Sequence, residues 1–142
     1  MADIYIKADN TDKILHKLDD LTIKALTECG MVAEGHAKVN LTNNHSVDTG
    51  LLRNSVTYAI SGESPAISSY KSNDGSESGT YSGVQGSANE KTVYIGTNVH
   101  YAPYVEMGTY KSPAKPYLRP AFSEHTDEYK KILSNVLGEL GD

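Results

Sequence analysis

The chain reads as one α+β domain, a small, largely antiparallel sheet covered by a long N-terminal helix and a C-terminal helix. Three observations predict that class. Apolar residues recur every three to four positions from about 11 to 40 and again from about 121 to 139. Short β-branched stretches lie near 2–8, 54–61 and 91–97. A length of 142 residues suits one domain, spanning 1–142, with one core.

Ala2, Ile4, Ile6 and Ala8 alternate with Asp3, Tyr5 and Lys7, the period-two pattern of a half-buried strand. Asp9-Asn10-Thr11-Asp12 then offers helix caps. Ile14, Leu18, Leu21, Ala25, Val32 and Val39 form an apolar stripe that Leu15, Leu26 and Ala33 widen. At 1.5 Å per residue, a helix over 11–40 is roughly 45 Å long. Gly30 and Gly35 interrupt it at about 1 kcal/mol each relative to Ala, which points to a bend or a close approach by another backbone. The rod is expected to pack across the sheet, and the pattern leaves open whether one end also meets a neighbouring subunit.

Asn43-Asn44-His45-Ser46 breaks the helix, and Asp48 can cap a turn through Thr49, Gly50 and Leu51. A strand follows in which Val56, Tyr58 and Ile60 share one face. From about 61 to 90 Ser and Gly dominate, so this stretch alone cannot bury enough apolar surface to offset its ordering entropy. A flexible loop or loose hairpin is expected there, with room for one more strand. Tyr70 and Tyr81 are its candidate anchors on a partner. An arm that orders on docking and a tolerated surface insertion are both compatible with this composition.

Val93 and Ile95 flank Tyr94 in a strand that should stop at Gly96. Pro103 suits a first helical position and Gly108 a left-handed helix end, which leaves little more than one turn over Tyr104 to Met107. Lys115-Pro116-Tyr117-Leu118-Arg119-Pro120 should be a stiff arm leading into a last helix that begins near Pro120. Tyr101, Tyr104, Tyr110 and Tyr117 supply amphipathic area suited to an interface. In the last helix Phe122, Tyr129, Ile132, Leu133, Val136, Leu137 and Leu140 follow helical spacing. Glu124, Asp127 and Glu128 precede Lys130 and Lys131, an order that favours the helix dipole.

A net charge of -5 argues against a DNA-coating role, which needs clustered Lys and Arg. Cys29 is the one cysteine, lies in an apolar helical register and reads as a buried small residue. No apolar run reaches the length of a membrane span, and the start lacks a secretory pattern, so a soluble protein folded in a reducing cytoplasm is expected.

Asp48-Thr49-Gly50 matches the triplet of aspartic proteases, which pair two such aspartates around one proton. There is no second copy, and no catalytic residue is assigned. His36, His45, His100 and Asp48 could meet only through the fold, and none shows metal-site spacing, so neither an intrinsic metal nor a cofactor is expected. His16 and His125 look like exposed helical positions.

Two runs carry a resemblance. Val47-Asp48-Thr49-Gly50-Leu51-Leu52-Arg53-Asn54-Ser55 fits V-D-T-G-x-L-R-x-S. Gly96 to Thr109 fits G-T-N-x-x-Y-A-P-Y-V-E-x-G-T, and Lys115 to Ala121, K-P-Y-L-R-P-A, follows it. In this order, behind a long helix, they resemble the tail-component family of long-tailed bacteriophages, the gene-ten-like proteins of the HK-ninety-seven type. The resemblance covers most of the chain outside 61–90.

It implies a virion protein of the phage neck with no enzymatic role, a tail-completion or head–tail joining subunit that assembles as a ring, a hexamer. Its implied partners are further copies of itself, a head-completion or connector protein, and the tail terminator or tail tube protein. DNA would pass through the lumen without specific binding, and no membrane is involved. The residues marked for assembly are Asp48, Thr49, Gly50, Leu52, Arg53, Tyr101, Pro103, Tyr104, Glu106, Gly108, Pro116, Arg119 and Pro120. Because Arg53 and Glu106 lie in the two signatures, an ion pair between them is expected, within a subunit or across an interface. The alternative from another class is a monomeric or dimeric peptide-binding adaptor in tail assembly.

Overall fold

The computed structural model describes residues 11–46, 48–61, 68–81 and 91–141. The strand expected over 2–8 lies outside them. Helix α1 (Thr11–Asn43) runs past its expected end. Its buried row is Leu21, Ala25, Cys29, Ala33, Ala37 and Leu41, one residue in four. Four residues turn a helix about 400°, so this row winds slowly around the rod and meets different partners in turn. Leu21 and Ala25 pack with Val136, Cys29 and Ala33 with Tyr129, and Ala37 and Leu41 with the main core.

The expected stripe is wrong at its margins. Ile14 is 52% exposed, Leu18 37% and Val39 54%. No described element covers the turns before Leu21, and Val39 lies about 200° around the helix from Ala37.

After Gly50, in the left-handed conformation at φ 83°, comes a short helix α2 (Leu51–Ser55) that places Leu51, Leu52 and Ser55 in the core. Helical rather than extended spacing decides the fate of 54 and 55, so the strand expected from 54 starts only at β1 (Thr57–Ile60). Two further strands, β2 (Ser68–Lys71) and β3 (Ser78–Tyr81), form an antiparallel hairpin within the Ser/Gly-rich stretch. Strand β4 (Val93–Gly96) returns antiparallel to β1, with Tyr58 opposite Ile95 and Ile60 opposite Val93. The described strands thus make two separate two-stranded sheets, where one sheet was expected.

Gly30 explains how α1 lies so close to β1 and β4. A Cβ there would stand 2.7 Å from Tyr58 Cδ2 and 2.9 Å from Val93 Cγ2, so only glycine fits. Gly35 faces open space and has no such packing reason.

Helix α3 (Ala102–Met107) carries Pro103 in its first turn. The expected single C-terminal helix is divided: α4 (Leu118–Ser123), then α5 (Thr126–Leu137), then a 3-10 turn (Gly138–Gly141). Pro120 lies inside the first turn of α4, where its missing N–H goes unneeded. His125, at φ -130° and ψ 23°, breaks the chain between the two helices. Tyr129 of α5 donates its hydroxyl hydrogen to the Ala121 carbonyl across that break.

Candidate assembly site

The segment after β4 is held by one carboxylate. Glu106 Oε2 accepts from the backbone N–H groups of Tyr117 at 2.7 Å and Leu118 at 3.0 Å, and Oε1 accepts from Arg119 at 3.0 Å. These are donors that the start of a helix leaves without partners, so a side chain on α3 caps α4. Tyr117 is fully buried in the main core, its hydroxyl donating to the Ala102 carbonyl at 3.2 Å. Burial first, and then the Glu106 charge, pushes that hydroxyl well above its ordinary pKa. From α1, Asn40 donates to the Tyr117 carbonyl and Asn44 to the Pro116 carbonyl. The expected stiff arm is therefore stiff because both sides grip it, with Tyr117 pointing inward.

Between α3 and α4 the chain folds tightly upon itself. Gly108 has φ 79° and ψ 174°, and a Cβ there would stand 2.6 Å from the Ala114 backbone nitrogen. Thr109 and Ser112 exchange backbone hydrogen bonds, and Lys115 N–H donates to the Val105 carbonyl at 2.8 Å. On this fixed frame Tyr104 is 61% exposed, Met107 79% and Tyr110 93%.

The upstream run docks the hairpin. Asn73 N–H donates to the Thr49 carbonyl, and Asn54 Nδ2 donates to the Lys71 carbonyl and to Asn73 Oδ1. A Cβ on Gly50 would meet the Asn73 side chain at 2.5 Å, so the left-handed glycine also makes room for the hairpin. Asp74 shapes the hairpin turn by accepting from Ser76 N–H and from the hydroxyls of Ser72 and Ser76, and those bonds lower its pKa to about 2. On the other side Tyr70 donates to Asn98 Oδ1, and Asn98 Nδ2 donates to the Thr80 carbonyl. Tyr70 packs against the main core. Tyr81 lies half-buried beside Gly96, its hydroxyl 3.2 Å from where a Cβ there would sit. Of the two readings of this stretch, docking arm and surface insertion, neither requires the anchoring that residues 68–81 find on their own chain.

A family model for HK97-gp10-like proteins, described as bacteriophage tail-component, matches residues 8–108. The chain belongs to this family. No curated protein and no solved structure matches it. Membership makes it a phage tail component and, through that, a protein of the virion. The match includes the hairpin stretch and stops at Gly108, so Pro116, Arg119 and Pro120 lie beyond it. Glu106 nevertheless joins the two parts, its carboxylate on one side of that limit and its three N–H donors on the other.

Other marked positions of this tail component fall differently. Leu52 is core, Pro103 and Arg119 are exposed, and Tyr101 is half-buried against the main core. Arg53 and Glu106 form no ion pair within the chain; Glu106 is spent on backbone N–H groups instead. Asp48, Arg53, Glu77 and Tyr101 line one shallow depression of about 360 Å³. Asp48 and Glu77 are both exposed there and share no hydrogen bond, unlike a proton-sharing carboxylate pair. No described helix is long and apolar enough to cross a membrane.

Sequence reasoning missed one constellation. His36 meets His125 and Glu128, and none of His45, His100 or Asp48 takes part. His125 is half-buried rather than exposed. The signal available was the spacing of His125 and Glu128, three residues apart and hence on one face of a helix start.

Proposed function

We propose that this tail component is a structural subunit of the phage neck, a tail-completion or head–tail joining protein that forms a closed ring between connector and tail tube. The observation that carries the reading is where its exposed apolar area lies. Tyr104, Met107 and Tyr110 are displayed on α3 and the turn after it, whose backbone is held by the Gly108–Tyr104, Thr109–Ser112 and Lys115–Val105 bonds and which Glu106 ties to α4. Large apolar side chains on a fixed frame suit a surface that fits another protein. Ile14, Leu15 and Leu18 on the first turns of α1 offer a second such surface. A ring needs two different faces per subunit, each meeting the other on a neighbour. The net charge of -5, multiplied around the ring, suits a lumen along which DNA slides.

Light scattering on the purified chain, alone and with tail tube protein, tests this. A mass near that of a hexamer, in at least one of the two samples, is the expected result. It should fall to that of the single chain in a Met107→Ser, Tyr110→Ser double variant whose circular dichroism is unchanged. A wild-type chain that stays monomeric or dimeric while binding tail tube protein would replace the ring with the adaptor reading.

A further inference from the structure

The break between α4 and α5 puts His125 at the boundary of α5 and Glu128 just beyond it, both against His36 of α1. The two imidazoles stack with centroids 3.5 Å apart and planes 4° from parallel. Each turns a nitrogen to the same carboxylate oxygen: His36 Nε2 lies 3.2 Å and His125 Nδ1 3.6 Å from Glu128 Oε2. One donor atom from each residue falls within 4.8 Å of the others.

We infer that His36, His125 and Glu128 form a binding site for a divalent ion of the zinc class, which ties α1 to the start of α5. Tetrahedral zinc with bonds of about 2.0–2.2 Å holds its donors roughly 3.3–3.6 Å apart. The carboxylate-to-imidazole separations already stand close to that range. The rings must leave the stack so that their lone pairs converge, and the torsion that turns a histidine ring is broad and soft. Side-chain exposures of 25%, 29% and 43% leave the donors reachable from solvent. Two imidazoles with one carboxylate suit zinc better than magnesium or calcium, which take oxygen donors throughout. Three protein donors leave a fourth corner for water or for a side chain of a docked protein. This site is independent of the assembly reading.

Calorimetric titration of the full chain with zinc chloride at neutral pH tests it, with cobalt(II) absorption as a second probe. Saturation at one ion per chain is expected. Affinity should weaken roughly tenfold or more in each of His36→Asn, His125→Asn and Glu128→Gln, since even outer-shell partners of a metal commonly matter that much. His16→Asn and His100→Asn should bind as wild type. Zinc should raise the melting temperature of the wild type and leave Glu128→Gln, with native circular dichroism, unmoved. Absence of one-to-one saturation in the wild type, or wild-type affinity in all three site variants, would overturn the assignment and leave the cluster a hydrogen-bonded one.

Discussion

The two ends of α1 share one helix and one apolar periodicity, yet they meet different fates. Toward its C-terminus Ala37 and Leu41 are fully buried, and Asn40 and Asn44 hold the backbone of 116–117. Toward its N-terminus every residue from Lys13 to Asp20 is exposed, including Ile14, Leu15 and Leu18. The difference lies in what packs against the helix. An amphipathic pattern states which side chains can be buried, and the remainder of the chain decides which ones are. At the clamped end apolar residues stabilise the fold; at the bare end similar residues remain available to another protein.

That contrast can be broken by mutation, beginning at the clamped end. Tyr117→Ala removes a fully buried aromatic and should cost about 3–5 kcal/mol in urea unfolding, enough to unfold much of a marginal domain. Alkaline pH probes the buried tyrosines without mutation. Burial, followed by the charges of Glu128 and Cys29, pushes the Tyr129 hydroxyl up to about 12, against an ordinary value near 10. A raised folded-state pKa means that this contribution is fully present below about pH 10 and is lost as pH rises through about 12. Tyrosinate absorbance and circular dichroism should therefore change together in that window. Separate transitions in the share of that absorbance that Tyr129→Phe removes would mean that Tyr129 ionises without opening the core.

Smaller effects sharpen the comparison. Gly30→Ala gains helix propensity but drives a methyl into Tyr58 and Val93, and a net loss of about 1–3 kcal/mol is expected in the same unfolding assay. Glu106→Ala removes the cap of α4 at a cost of about 1–2 kcal/mol. Hydrogen exchange should accelerate selectively at the amides of Tyr117, Leu118 and Arg119. Leu15→Ala, at the bare end, should change stability by less than about 0.5 kcal/mol. A loss there as large as that from Tyr117→Ala would erase the distinction between the ends.

Much of the fold was legible because it rests on local signals. Periodicity located α1, and β-branched runs with turn residues located β1 and β4 inside the expected 54–61 and 91–97. Pro103 and Gly108 bounded α3 as expected, although the ψ of 174° puts Gly108 in a positive-φ region that only glycine readily enters, outside the left-handed helical one. The break at His125 was hidden because Glu124-His125 contains neither Pro nor Gly, and the apolar spacing runs through it unbroken. Tertiary contacts, Tyr129 with Ala121 and His36 with His125, hold that break. At the candidate site the signatures drew attention to Glu106 as a partner for Arg53, whereas within the chain its carboxylate holds backbone N–H groups. A carboxylate that seeks backbone N–H groups eleven to thirteen residues onward leaves no trace in charge pairing. The hairpin was legible only as a loose one, because its anchors, Thr49, Asn54 and Asn98, belong to segments distant in sequence from the residues they hold.

The turn between Gly108 and Lys115 has a kinetic consequence. Fixing a residue's backbone costs about 1–2 kcal/mol, and here internal hydrogen bonds have met that cost before any partner arrives. Tyr110 needs to settle only two side-chain torsions when gripped. A rigid tip of this kind leaves the arrival rate almost unchanged and lengthens residence time, so contacts made through Tyr110 would be slow to let go.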